Sequence, residues 1–162
     1  MGGATNRQPW EGRTTAELKG LTPEQAWPIL ADFCNLYKFH PDLDTGYIVE
    51  GVSGQPGMVR FCSATKATAP DGKPRTLWVK ERLLMIDQVS RCLRYEITEN
   101  NMGFNSYVAT VEVLPVGESG CRVEWSFVAD PVKGWTLEAF QRYLSQTLLA
   151  LACNIERHVL YS

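Results

Sequence analysis

Trp135-Thr136-Leu137-Glu138-Ala139-Phe140-Gln141-Arg142-Tyr143-Leu144-Ser145-Gln146-Thr147-Leu148-Leu149-Ala150-Leu151-Ala152-Cys153-Asn154-Ile155-Glu156-Arg157-His158-Val159-Leu160 contains neither proline nor glycine. Its apolar residues Leu137, Phe140, Leu144, Leu148, Leu151, Ile155 and Val159 recur at spacings of three or four, which predicts one amphipathic helix about 35–40 Å long. A helix of that length needs a broad apolar surface to lie on. Six strand-like runs supply it upstream, over roughly 44–51, 57–66, 75–86, 91–98, 105–115 and 121–130, separated by clusters of Gly, Pro, Asn or Asp. Trp10–Leu18 alternates and opens the sheet as a seventh strand.

Between the first strand and the rest, Thr22-Pro23-Glu24-Gln25 combines an N-cap, a proline in the first turn and a capping-box glutamine, ahead of Ala26, Ile29, Leu30 and Phe33 on one face. Pro28 shortens this helix, and residues 35–40 form a second short one before Pro41 stops the pattern. The order predicts an α+β helix-grip: a seven-stranded curved antiparallel sheet wrapped around a long C-terminal helix, with two short helices after the first strand. One domain over 1–162 is expected, with about residues 1–8 flexible.

Such a sheet and helix meet at one end and diverge at the other, leaving a cavity whose wall is the inward row of each strand. In Leu77-Trp78-Val79-Lys80-Glu81-Arg82-Leu83 the two-residue period places Glu81 in the apolar row with Leu77, Val79 and Leu83. The same parity puts Tyr107 with Ala109, Val111 and Val113. Arg60 shares a row with Met58 and Cys62, but the alternate row of Val59 and Phe61 is equally apolar, so parity leaves its direction open. A buried carboxylate is costly unless paired, and arginine is its natural partner. Glu81 also fits a rim residue or a structural ion pair, Tyr107 a core aromatic, and Arg60 alone a surface residue. Tyr95, Trp125 and Phe127 add to the expected wall from the sheet, and Phe140 and Leu144 from the helix. This lining suits a small, largely apolar ligand with one polar end.

Composition narrows the alternatives. The chain has 162 residues, 44% hydrophobic and 21% charged, with a net charge of −2 and no basic block, so nucleic acid is not an expected partner. No stretch approaches a membrane span of roughly 20 apolar residues. No leader pattern is seen at the N-terminus, and Asn6 stands where myristoylation requires Ser or Thr, so a cytoplasmic, unlipidated protein is expected. Cys34, Cys62, Cys92, Cys121 and Cys153 include no Cys-x-x-Cys pair and read as reduced thiols. His40, beside Pro41, reads as a loop or rim residue and His158 as a helix residue; neither has metal-ligand spacing, so no metal site is expected. Gly51, Gly54 and Gly57 match no phosphate-binding loop, and Gly-x-Ser-x-Gly is absent. The turn-rich connections 67–74, 99–105 and Val132-Lys133-Gly134 are expected to surround the cavity mouth.

Taken together, Pro23-Glu24-Gln25-Ala26-Trp27, Val59-Arg60-Phe61, Trp78-Val79-Lys80-Glu81-Arg82-Leu83, Tyr107-Val108-Ala109-Thr110 and Glu124-Trp125-Ser126-Phe127 resemble the plant lachrymatory-factor-synthase-like proteins. These lie within the Bet v 1/START-like (SRPBCC) superfamily, which also holds the abscisic-acid-receptor fold. The resemblance spans nearly the whole chain. It implies a catalytic Arg, Glu and Tyr at Arg60, Glu81 and Tyr107, and turns Arg60 inward. It also implies a cofactor-independent isomerase working by proton transfer on a small substrate such as an alkenyl sulfenic acid. Leu77 and Asn105 stand where the family has pocket aromatics, which implies a different pocket shape. Many superfamily members only bind ligands, so a non-catalytic carrier or receptor for a hydrophobic metabolite or hormone is the alternative.

Overall fold

In the computed structural model, which describes residues 8–68 and 72–161, the chain begins with β1 (Trp10–Leu18), α1 (Pro23–Ala31) and a single 3₁₀ turn (Leu36–Phe39). It continues through β2 (Thr45–Glu50), β3 (Val59–Thr68), β4 (Pro74–Asp87), β5 (Cys92–Asn100), β6 (Val108–Val116) and β7 (Gly120–Ala129) to α2 (Leu137–Tyr161). The strands form one sheet in the order β1-β7-β6-β5-β4-β3-β2, every neighbouring pair antiparallel. This is the helix-grip arrangement read from the sequence. The termini of the chain and the connection at 69–71 lie outside the described residues, and with them the myristoylation-like segment.

Local chemistry fixes the helix ends. Thr22 Oγ1 accepts the Gln25 N–H at 3.3 Å and Gln25 Oε1 accepts the Thr22 N–H at 3.0 Å, so the capping box is complete. Pro28 has no N–H to donate, and α1 closes within one turn of it, with the Asp32 N–H returning to the Ile29 carbonyl at 3.3 Å. At the other end of the chain Thr136 Oγ1 accepts the Ala139 N–H at 3.0 Å, so α2 starts at Leu137 rather than at Trp135.

The apolar face of α2 is buried against the concave face of the sheet through Phe140, Leu144, Leu148, Leu151 and Ile155. Its second half is the tightly held part. Glu156 Oε2 accepts the Gly20 N–H at 2.9 Å, and Asn154 Nδ2 donates to the Phe39 carbonyl at 2.9 Å. Near its start the helix comes down on β1, where Gln141 Nε2 donates to the Arg13 carbonyl at 2.6 Å. There Gly12 is required, because a Cβ would collide with Gln141 Oε1 and the Phe127 ring. No helix among the described residues is long and apolar enough to cross a membrane.

The two faces of α2 differ in their expected sensitivity. Ile155 is fully buried, so Ile155→Ala removes packed methylenes and is expected to lower unfolding free energy by about 2–5 kcal/mol. Leu149 is 55% exposed on the outer face, and Leu149→Ala is expected to stay within about 0.5 kcal/mol. Urea denaturation of both variants measures the difference.

Candidate functional site

One line across the sheet assembles the polar centre. Arg60 on β3 pairs in register with Glu81 on β4, Glu81 pairs with Ile97 on β5, and the Ile97 N–H donates to the Tyr107 carbonyl at 3.0 Å. All side chains on such a line share a face. Arg60, whose direction parity left open, is therefore turned to the concave side with Glu81 and Tyr107; the three are 7%, 8% and 3% exposed. Tyr107 enters β6 from Ser106, a non-glycine residue at φ 54°, next to a carbonyl of Asn105 that accepts the Asp130 N–H at 3.0 Å.

Arg60 Nε donates to Glu81 Oε1 at 2.9 Å. One terminal nitrogen donates to the Phe33 carbonyl just past α1, and the guanidinium carbon lies 3.6 Å from the Phe33 ring centroid and 5.2 Å from that of Tyr95. Burial, the largest single influence, works against the charge on Arg60, but Glu81 together with Cys62 and Tyr95 more than offsets it and the pKa is raised; Arg60 is always a cation. The other terminal nitrogen and Glu81 Oε2 have no part in these bonds.

These groups open onto a cavity of about 660 Å³ between the sheet, α2, α1 and the 3₁₀ turn. Of the sequence-derived site residues, Arg60, Glu81, Tyr107, Leu77, Val79, Tyr95, Trp125, Phe140 and Leu144 line it. Three do not. Leu83 is fully buried in the packed core, Phe127 lies behind Tyr107 in a parallel stack at 6.0 Å, and Asn105 is exposed on its connection.

The sequence reading missed Phe33, the His40–Asp44 segment, Cys62, Tyr143 and Thr147, all of which line the cavity. Phe33 had a signal, since it lies on the apolar face of the first helix. Of the connections expected around the mouth, 67–74 contributes Ala67 and 99–105 contributes Met102 and Phe104 to the lining, whereas Val132-Lys133-Gly134 lines a separate small hollow. The exposed lining residues are Pro41, Asp42, Asp44 and Lys66. Asp44 ties the segment to the end of β3, its Oδ2 accepting from the Thr65 N–H at 3.0 Å and hydroxyl at 2.7 Å.

Several ionisable groups on the inner wall are held neutral. Burial, with the Glu81 charge adding to it, raises Tyr107, and burial raises Tyr95 well above the ordinary phenol range. Burial pushes the Cys62 thiol up to about 12. His40 Nδ1 accepts the Asp42 N–H at 3.0 Å and the Leu43 N–H at 3.3 Å, and burial, opposed by Asp42 and assisted by Arg60, lowers its pKa to about 4. Among the described residues no His, Cys, Asp and Glu group is arranged to hold a metal ion.

Residues 9–156 match the model of a family described as polyketide cyclase/dehydrase and lipid transport. Solved structures share the fold. XoxI from Bacillus cereus superposes with a TM-score of 0.71 at 23% identity, covering 93% of this chain and 96% of its own. Ginseng major latex-like protein 151 from Panax ginseng gives 0.68 at 21%, covering 93% and 99%. Ara h 8.0201 gives 0.70 at 21%, covering 94% and 98%.

His40 gives the site a pH signature. Its folded-state pKa is depressed, so the unfolded chain binds more protons between the ordinary value of 6.5 and about 4, and stability is lost as pH falls through that window. His40→Asn retains a side-chain acceptor for the turn and removes the titration. Urea denaturation across this range is expected to show a shallower acid loss in H40N than in wild type; parallel curves would place the titrating group elsewhere.

Proposed function

The chain belongs to the polyketide cyclase/dehydrase and lipid transport family, and on that premise we propose that its cavity binds a small, mostly apolar molecule with a polar end and isomerises it by cofactor-independent proton transfer. The activity is of the lachrymatory-factor-synthase type, with an alkenyl sulfenic acid as one substrate of that description. The observation that carries this reading is the buried Arg60–Glu81 pair at 2.9 Å on the wall of an otherwise largely apolar cavity. Such a pair is a costly way to stabilise a fold, since well-packed apolar residues often do as well. Glu81 Oε2 takes the proton, the unengaged Arg60 N–H groups hold the oxygen on which charge develops, and the Tyr107 hydroxyl donates to the same oxygen. Water exclusion by the surrounding wall strengthens both electrostatic interactions.

A second reading, a non-catalytic carrier or receptor for a hydrophobic metabolite, draws on the same apolar wall. There the ion pair anchors the ligand and moves no proton. Glu81→Gln separates the two because it preserves shape and removes the base. Native mass spectrometry of protein from its source tissue identifies the bound molecule. With that molecule as substrate, E81Q is expected to lose about 100-fold or more in kcat while still binding it. Unchanged turnover sinks the catalytic assignment, and tight binding without any conversion by wild type favours the carrier.

A further inference from the structure

We propose that the cavity selects molecules that are uncharged when they bind, and discriminates against carboxylates and other anions of the same shape. The inference rests on the reading of the cavity as a ligand site and specifies the class of ligand it takes. It follows from a count of charge on the wall. Among the described residues the interior carries one cation, Arg60, and one anion, Glu81, each less than a tenth exposed and joined at 2.9 Å. Tyr95, Tyr107, Tyr143, Cys62 and His40, which also line the interior, are neutral at pH 7. Among the described residues the exposed charges at the mouth are Asp42, Asp44 and Lys66, two negative against one positive.

Inside the cavity an anionic ligand meets, among the described residues, no cation but the already paired Arg60. To reach Arg60 it must displace Glu81, which leaves a buried carboxylate unpaired, and it must pass the acidic mouth first. A neutral ligand with an acceptor oxygen meets the unengaged Arg60 N–H groups and leaves the pair intact. Proton transfer then conserves the charge of the site. The bond from the ligand's acidic atom to its proton breaks, the proton bonds to Glu81 Oε2, and the electron pair stays on the ligand as an oxyanion. Arg60 exchanges one anionic partner for another. Return of the proton to a different atom restores the starting charges and completes an isomerisation without any co-reactant.

The test compares naphthylacetamide with naphthylacetate, which have nearly the same shape, by isothermal titration calorimetry at pH 7. Wild type is expected to bind the amide at least about tenfold more tightly, a difference of about 1.4 kcal/mol. In E81Q the Arg60 charge is left without a partner, so the preference is expected to reverse. A wild-type protein that binds the carboxylate as tightly as the amide overturns the proposal while leaving the cavity as a ligand site. Binding of neither compound by wild type, with far-UV circular dichroism showing a folded chain, overturns the ligand-site reading on which it rests. Folded E81Q that still prefers the amide removes Glu81 as the source of selectivity and also counts against the proposal.

Discussion

The Arg60–Glu81 pair is the interaction on which the cavity depends, because a guanidinium and a carboxylate survive in an apolar wall only if both are satisfied. Loss of one partner from such a pair typically costs about 3–5 kcal/mol. Satisfying them here requires three elements to agree. The β3–β4 register sets the two side chains opposite each other, and the Phe33 carbonyl accepts a second guanidinium hydrogen while its ring covers the guanidinium face. That carbonyl is open to an outside donor because α1 has already ended. Phe33 lies beyond the C-cap residue Asp32, so its carbonyl has no place in the helical ladder. A longer first helix would have used this group internally. Pro28, which reads as a local defect of the helix, is therefore part of how the site is built.

The inward rows were legible from parity wherever one face of a strand was polar. Glu81 and Tyr107 were placed in this way, and Val79, Glu81 and Leu83 are indeed the buried residues of that stretch of β4. Arg60 resisted because both rows of β3 are apolar. The structure supplies the reason: Phe61 faces outward, stacked between Tyr47 at 4.9 Å and Trp78 at 6.0 Å on the convex side. An aromatic ladder on the outside of a sheet has the same composition as a core row, so alternation carries no information there. Parity also fixes a face without fixing a height. Leu83 and Phe127 point inward as expected, yet one lies in the packed core and the other behind Tyr107.

The mouth was the least legible part. Turn-forming residues mark where a connection lies but not which connection folds over the cavity, since that depends on contacts distant in sequence. The segment from His40 to Asp44 is held by Asp44 to Thr65 and by the His40 ring accepting two of its own backbone N–H groups. Neither arrangement has a periodic signature. The same applies to Phe33, whose side chain was visible as apolar but whose carbonyl, the group the site uses, is written in no residue letter.

Roles within the site can be narrowed by asking which wall groups have a lone pair able to take a proton. Tyr95 and Tyr107 stay protonated because burial disfavours the phenolate, which suits Tyr107 to the donor role proposed for it. Interactions of Tyr107 with Tyr95 and Trp125 oppose the rise in its pKa without cancelling it. Cys62 remains a thiol, and the one basic nitrogen of neutral His40 is already used by the Asp42 and Leu43 N–H groups. Asp44 at the mouth is committed to Thr65 and Thr45, and Asp42 is exposed to water. Of the carboxylates lining the cavity, Glu81 is the one that is buried, and it reaches the interior with an oxygen outside its ion pair. In the proposed mechanism the proton therefore passes through Glu81, with the cation fixed at 2.9 Å from its other oxygen placed to receive the charge that the transfer would leave behind.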